Sequence, residues 1–215
     1  MAIITISRGS LSGGRAVAEC LGRRLGYPVI AREVLQEAAG KVGVSPEDLQ
    51  GKFETTPHLW SRLTRERKKY ALAVRAALAE RCTRGDLVYH GLAGQFLLKD
   101  LTGVLRVQIL SPMEKRILSL LEAHPRMTRD QVAAFIKKVD QERDRWVRVM
   151  YDTDALDPSH YDLSFNLEEI SLESACETIA KTASLPRFGV TPEREREILA
   201  FAADCKRSLE EALGG

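Results

Sequence analysis

Gly9-Ser10-Leu11-Ser12-Gly13-Gly14-Arg15-Ala16 is the stretch of this 215-residue sequence whose residue types and spacing speak most directly of chemistry. A glycine, a four-residue gap, a second glycine and a cation follow the short apolar run Ile3-Ile4-Thr5-Ile6-Ser7. A strand that enters a glycine turn and leaves as a helix lets backbone N–H groups converge on a phosphate, and the helix N-terminus adds partial positive charge. The glycines permit positive φ and let the backbone approach the phosphate oxygens closely. Arg15 stands where a cation reaches the terminal phosphates of a nucleotide. The usual residue there is lysine, and Ala16 occupies the place of a Ser or Thr that would ligate magnesium. Arginine keeps the charge and can hold phosphate through two N–H groups, although it is bulkier and planar. The plain alternative is a glycine-rich strand-to-helix turn with Arg15 merely solvated.

The elements that must position this loop alternate along the chain. Residues 3–7 read as a strand covered on both faces, because the run leaves no room for polar alternation. A helix follows over 16–25, then a short strand over 27–30 and a helix over 32–42. Ser45-Pro46-Glu47-Asp48 carries a capping serine with proline at the first helical position, and Thr56-Pro57 repeats that signal before a long helix over about 58–84. Strands are predicted over 87–90, 104–110 and 161–166. Ser111 to Glu114 and Thr128 to Gln131 read as capping boxes, Ser171 opens a helix to about 183, and Thr191-Pro192 opens a last one over 193–213. This pattern predicts an α/β fold: a parallel sheet of about five strands between two layers of helices. Residues 1–185 form the expected main domain, with a helical lid over about 126–154, and residues 186–215 form a helical extension.

Composition bounds the function classes. The chain is 44% hydrophobic and 29% charged, ordinary for a globular domain. Thirty-two basic residues against 30 acidic ones leave a net charge of +2, which argues against a general nucleic-acid binder. No apolar run approaches the roughly 20 residues of a membrane span, and Met1 to Ile6 lacks a basic region and cleavage site, so a cytoplasmic protein without membrane association is expected. Cys20, Cys82, Cys176 and Cys205 form no Cys-x-x-Cys pair, and buried or half-buried thiols in a reducing compartment are expected. His58, His90, His124 and His160 are equally scattered, so no metal site is predicted.

The loop and its surroundings resemble the cytidylate kinase-like proteins, bacterial relatives of the nucleoside monophosphate kinases. Ile4-Thr5-Ile6-Ser7-Arg8, Ser12-Gly13-Gly14-Arg15, Leu25-Gly26-Tyr27-Pro28 and Arg32-Glu33 carry the opening of the match. Phe96 to Asp100, Val104 to Ile109 with Pro112, then Lys138, Asp140 and Arg143, and finally Tyr161 to Asn166 extend it in the same order. The resemblance spans about residues 3 to 183 and implies a P-loop NTPase-type fold. It also implies ATP with Mg²⁺ as donor and transfer of a phosphoryl group to a nucleoside monophosphate such as CMP or dCMP. Proteins of this kind work by alignment and charge neutralisation more than by covalent chemistry.

On that resemblance Gly9, Ser10, Leu11, Ser12, Gly13, Gly14, Arg15 and Ala16 hold the donor nucleotide. Arg15, Arg143 and Arg145 are the candidate catalytic cations, the last two from the lid, and Arg8, Arg32 and His90 are candidates for the acceptor side. The lid sequence has its own plain reading. Val132, Ile136, Val139, Trp146 and Met150 make one apolar stripe, leaving the charges to pair on a solvated face as Asp140–Arg143 and Asp144–Arg148. The run Arg65 to Lys69 is read as solvent-facing, and His90 as able to fill the strand end. Relatives read Gly-Arg-Gly after the third strand, where this chain reads Gly91-Leu92-Ala93. Leu92, Ala16 and the extra C-terminal helix motivate a second reading, a nucleotide-binding regulatory or interaction protein without turnover. Because no residue identifies a cytosine by spacing alone, a kinase of a non-nucleotide small molecule is a third. A nucleotide is the expected small-molecule partner, with helical surfaces able to join two copies of the chain.

Overall fold

The computed structural model describes residues 2–8, 12–49, 64–91 and 93–214. Of the loop, Gly9, Ser10 and Leu11 fall outside these residues, as do Leu92, the Thr56-Pro57 cap and the first turns expected of the long helix. Five parallel strands lie in the order β2-β3-β1-β4-β5. They are β1 (Ile3–Arg8), β2 (Val29–Ile30), β3 (Leu87–Tyr89), β4 (Val104–Leu110) and β5 (Leu163–Asn166). Central β1 pairs along its length with β4, from Ile3 opposite Val104 to Arg8 opposite Ile109, and with β3 from Ile3 opposite Leu87.

Both faces of the sheet are apolar, as the unbroken hydrophobic strand runs require. On one face Ile4, Ile6, Val88, Leu105, Val107 and Ile109 pack beneath α1 (Gly14–Leu25) and α7 (Leu172–Ala183). The opposite face turns Ile3, Leu87, Tyr89 and Val104 towards α2 (Glu33–Val42), α3 (Thr64–Cys82) and α8 (Pro192–Gly214). The period-two alternation of strand side chains divides neighbours such as Ile3 and Ile4 between the two layers. One-turn α4 (Gly94–Leu97) follows β3 and adds Leu97 to the second layer.

The lid is a helical hairpin of α5 (Met113–Ala123) and α6 (Arg129–Tyr151). Its apolar residues split into two groups instead of one stripe. Val132 and Ile136 pack on Ile117 and Leu120 of α5, whereas Trp146 and Val147 pack on Ala93 and Phe96 beside α4. The Thr128 cap is present in both directions: its hydroxyl accepts the Gln131 N–H at 3.2 Å, and the Gln131 side chain accepts the Thr128 N–H at 2.8 Å. Ser111 makes no such cap. The α5 N-cap is Pro112 with no side-chain bond, and the Glu114 carboxylate pairs with Arg129 of α6 instead. Ser45 accepts from Asp48 N–H at 3.0 Å and Ser171 from Ser174 N–H at 3.0 Å, as predicted.

The cysteines need correction. Cys20 of α1 and Cys176 of α7 are joined in a disulfide, with their Cα atoms 6.3 Å apart. A chain separation of 156 residues hides that meeting from any spacing rule, because the sheet alone brings the two helices side by side. Cys82 and Cys205 are buried free thiols, as expected. Among the described residues no group of His, Cys, Asp or Glu could hold a metal ion, and no helix is long and apolar enough to cross a membrane.

Candidate phosphate-binding site

The site is built at the carboxyl end of β1, where an open parallel sheet presents its ligand crevice. Gly13 is the N-cap of α1 with φ +86°, in the left-handed region that the glycine reading predicts. A Cβ there would lie 2.9 Å from Leu167 Cδ1, so the turn is pressed against the segment leaving β5. The first turn of α1 carries no acidic residue and no side-chain cap bond, so its leading N–H groups keep their positive end undiminished. Buried Ser12 donates from Oγ to the Ile109 carbonyl at 3.1 Å, which ties the loop to β4. Ser12 therefore offers its hydroxyl to the scaffold, and a phosphate would meet its backbone.

Arg15 is exposed, its side chain 75% accessible, and its Nε donates to Glu19 Oε1 at 2.7 Å one turn along α1. The hydrogen bond and the opposite charge raise the arginine pKa and lower that of Glu19. Glu19 takes Nε, and the exposed guanidinium keeps the planar fork of N–H donors that suits bidentate phosphate binding. His90 follows β3 directly, its N–H donating to the Ile30 carbonyl at 3.1 Å. Its charged form would favour both the Glu19 and the Glu33 carboxylates, so it stands within electrostatic reach of each. Arg32 is the exposed N-cap of α2, next to Glu33, whose carboxylate accepts the Ala31 N–H at 2.7 Å and is held below the usual range by it. The carboxyl ends of β1, β3 and β2 thus lead into the segments that carry Arg15, His90 and Arg32, with Glu19 and Glu33 both within the electrostatic reach of His90. Arg8 ends β1, its backbone in register with Ile109.

Ala16 has no side-chain oxygen, and the described residues offer no carboxylate cluster in its stead. Among the described residues the side chains therefore do not fit a magnesium ion held by the protein; such an ion would be carried by the nucleotide's own oxygens and by water.

Arg143 and Arg145 lie on α6, half-buried and exposed respectively. The expected lid pairing is present for Asp144–Arg148 at 2.9 Å, and Asp140 pairs across the hairpin with Arg116 of α5 at 2.6 Å. Arg116 was not among the candidates read from the sequence. Its side chain is 9% exposed and falls one residue before Ile117 and four before Leu120, so it shares their inward face. That position on the apolar side of α5 was the available signal.

A second missed group lies at the end of β1. The Tyr161 hydroxyl donates to the Ala155 carbonyl at 2.6 Å, accepts from Gln95 Nε2 at 2.9 Å and lies 3.1 Å from Ser7 Oγ. Burial raises the Tyr161 pKa, so the phenol stays protonated at neutral pH. Phe96 stacks on Tyr151 at 4.9 Å and meets His160 edge-on at 4.8 Å, joining the lid's inner end to α4. Residues from β1, α4, β5's approach and the lid therefore meet in one polar and aromatic seam beside the loop.

The model of the cytidylate kinase-like family matches residues 3–169, most of the sequence. The chain belongs to the cytidylate kinase-like family. Among solved structures, an uncharacterised protein from Eubacterium ventriosum superposes with a TM-score of 0.66 at 18% identity, covering 84% of this chain and 97% of that one. The shikimate kinase of Bacteroides thetaiotaomicron gives a TM-score of 0.50 at 12% identity over 86% and 99% of the two chains. The protein TT1252 from Thermus thermophilus gives 0.50 at 17% over the same shares. No curated protein sequence matches. The cytidylate kinase-like chain thus has the P-loop NTPase-type fold expected of it, with lid hairpin and C-terminal helix in place.

Proposed function

We propose that this cytidylate kinase-like protein transfers the γ-phosphoryl group of ATP to a nucleoside monophosphate, CMP or dCMP. The observation that carries the reading is the uncapped N-terminus of α1 behind left-handed Gly13, with Arg15 beside it, in a chain of this family. The backbone of residues 9–14 cradles the donor phosphates and Arg15 neutralises charge on their outer oxygens. Arg8, Arg32 and His90 hold the acceptor phosphate on the β2–β3 side of the loop. Arg143 and Arg145 arrive with the lid and stabilise the transferring group. An acceptor phosphate oxygen forms the new bond to the γ-phosphorus while ADP departs. Mg²⁺ enters as part of the ATP complex and supplies further charge neutralisation.

The test is ADP formation from ATP and Mg²⁺ with CMP, dCMP, UMP, AMP, GMP or shikimate offered separately, alongside an Arg15→Ala control. Turnover with CMP or dCMP that the control lacks is the expected result. Turnover with shikimate alone would move the protein to the small-molecule kinases. ATP binding without turnover on any acceptor would favour the second reading, a nucleotide-binding regulatory protein, which the absence of a side-chain oxygen at Ala16 supports.

A further inference from the structure

The Cys20–Cys176 bond sits where it can act on the phosphate loop. Cys20 lies on α1, six residues past its first residue Gly14, and the loop's Gly13 presses on Leu167 in the segment leading to α7. The helix that presents N–H groups to phosphate is therefore tied to the β5–α7 unit at its N-terminus and again at its middle. Cys176 is fully buried among the residues that also enclose Val17, Leu21 and Ile179, whereas Cys20 is half-exposed. The other two cysteines are poor competitors for exchange: Cys82 is buried with its thiol pushed up to about 12, and Cys205 is buried with its thiol also raised.

We propose that the Cys20–Cys176 disulfide is a reversible redox latch on the phosphate loop, opened by a dithiol reductant and closed again by a disulfide oxidant. One thiolate of the reductant attacks Sγ of half-exposed Cys20, and Cys176 leaves as thiolate and takes up a proton. The second reductant thiolate then attacks the mixed disulfide and releases Cys20, which is protonated in turn. Two electrons and two protons pass from the dithiol to the protein, and the reductant leaves as its own disulfide. Bonded sulfurs sit about 2.0 Å apart, whereas non-bonded heavy atoms need about 3.5–4.0 Å. Because Cys176 is enclosed, the extra separation falls on the Cys20 side, and with it on α1. A shift of α1 moves the loop amides off the phosphate oxygens they must meet.

The inference rests on the phosphate reading of the loop but not on any acceptor, so ATP binding is the readout. First, thiols are counted in protein unfolded without reductant: two are expected, rising to four after reduction. Next, ATP affinity is measured by calorimetry on the oxidised chain, on the chain treated with dithiothreitol, and on Cys20→Ser. Reduction is expected to weaken binding about tenfold, the size of an ordinary coupling between two sites. Oxidised glutathione should restore it in the wild type and leave Cys20→Ser weak. Four thiols that persist after exposure to oxidised glutathione would overturn the latch, as would a bond that resists dithiothreitol until the protein unfolds. Equal ATP affinity in both redox states would overturn it while leaving the phosphate reading intact. Binding by neither state would instead remove the phosphate reading. Amide exchange across residues 12–25 then decides the latch: faster exchange after reduction supports it, and unchanged exchange overturns it.

Discussion

Arg15 keeps an exposed guanidinium beside the first turn of α1, steered by Glu19 but buried by nothing. Its replacement by alanine should therefore separate function from stability. ATP binding and turnover should fall by orders of magnitude while the melting temperature stays within experimental error, as calorimetry and thermal melting would record. Gly13→Ala should do both. A side chain in the left-handed region costs about 1–2 kcal/mol, and the new methyl would also press on Leu167. Ala93 is the reverse case, a non-glycine at φ 56°, in the left-handed region that favours glycine. Ala93→Gly should raise stability by about 0.5–1 kcal/mol, the relief of strain less the added unfolded-state entropy. Denaturant melts would show it, and a loss of stability would mean the strain is absorbed elsewhere.

Among the elements, the lid is held at its outer end by its own hairpin contacts and at its inner end by α4. Its two packing groups leave the middle of α6, around Val139 to Arg143, to charged contacts such as Asp140–Arg116. Thr128→Ala removes one half of the capping box and should cost about 1 kcal/mol. Asp140→Ala removes a charge-assisted bond from a buried guanidinium and should cost about 1.5–3 kcal/mol. Both are measurable by chemical denaturation. If Asp140→Ala proved neutral, the Arg116 pair would hold geometry without holding stability. The α2 end is simpler. Glu33 is depressed by the Ala31 N–H, so its contribution is present above the unfolded carboxylate pKa and is lost as pH falls through the lower folded value. Glu33→Gln should flatten part of the acid limb of the stability profile.

The whole molecule is closed on one face by α8, whose Ile198, Cys205 and Leu209 are buried in the α3 layer. Arg194 of the same helix donates to the Thr102 carbonyl at 2.7 Å and the Gly189 carbonyl at 3.1 Å. Removing residues 192–214 should thus expose core and give an aggregating protein, checked by solubility and light scattering. The core also sets an alkaline limit. Burial raises the Tyr89 and Tyr151 hydroxyls and pushes the Cys82 thiol from its usual 9.0 up to about 12. Stability held in the protonated forms is complete below the unfolded values and is lost as pH climbs through the folded ones. Melting temperature should decline above about pH 9, with Cys82→Ala shifting that decline, since the unfolded thiol titrates in this range.

Chain order, local periodicity and short-range chemistry were legible in the residues themselves. β1, β4 and α8 fall where their apolar patterns and caps put them, and the glycine turn at Gly13 has the backbone its position demands. These depend on neighbours in sequence, so the sequence alone determines them. The disulfide, the Asp140–Arg116 pair and the Tyr161–Gln95–Ser7 seam join residues 156, 24, 66 and 154 positions apart. No spacing rule reaches that far. Such contacts exist because a parallel sheet returns each strand to the same edge, and only that return decides which side chains meet around the loop.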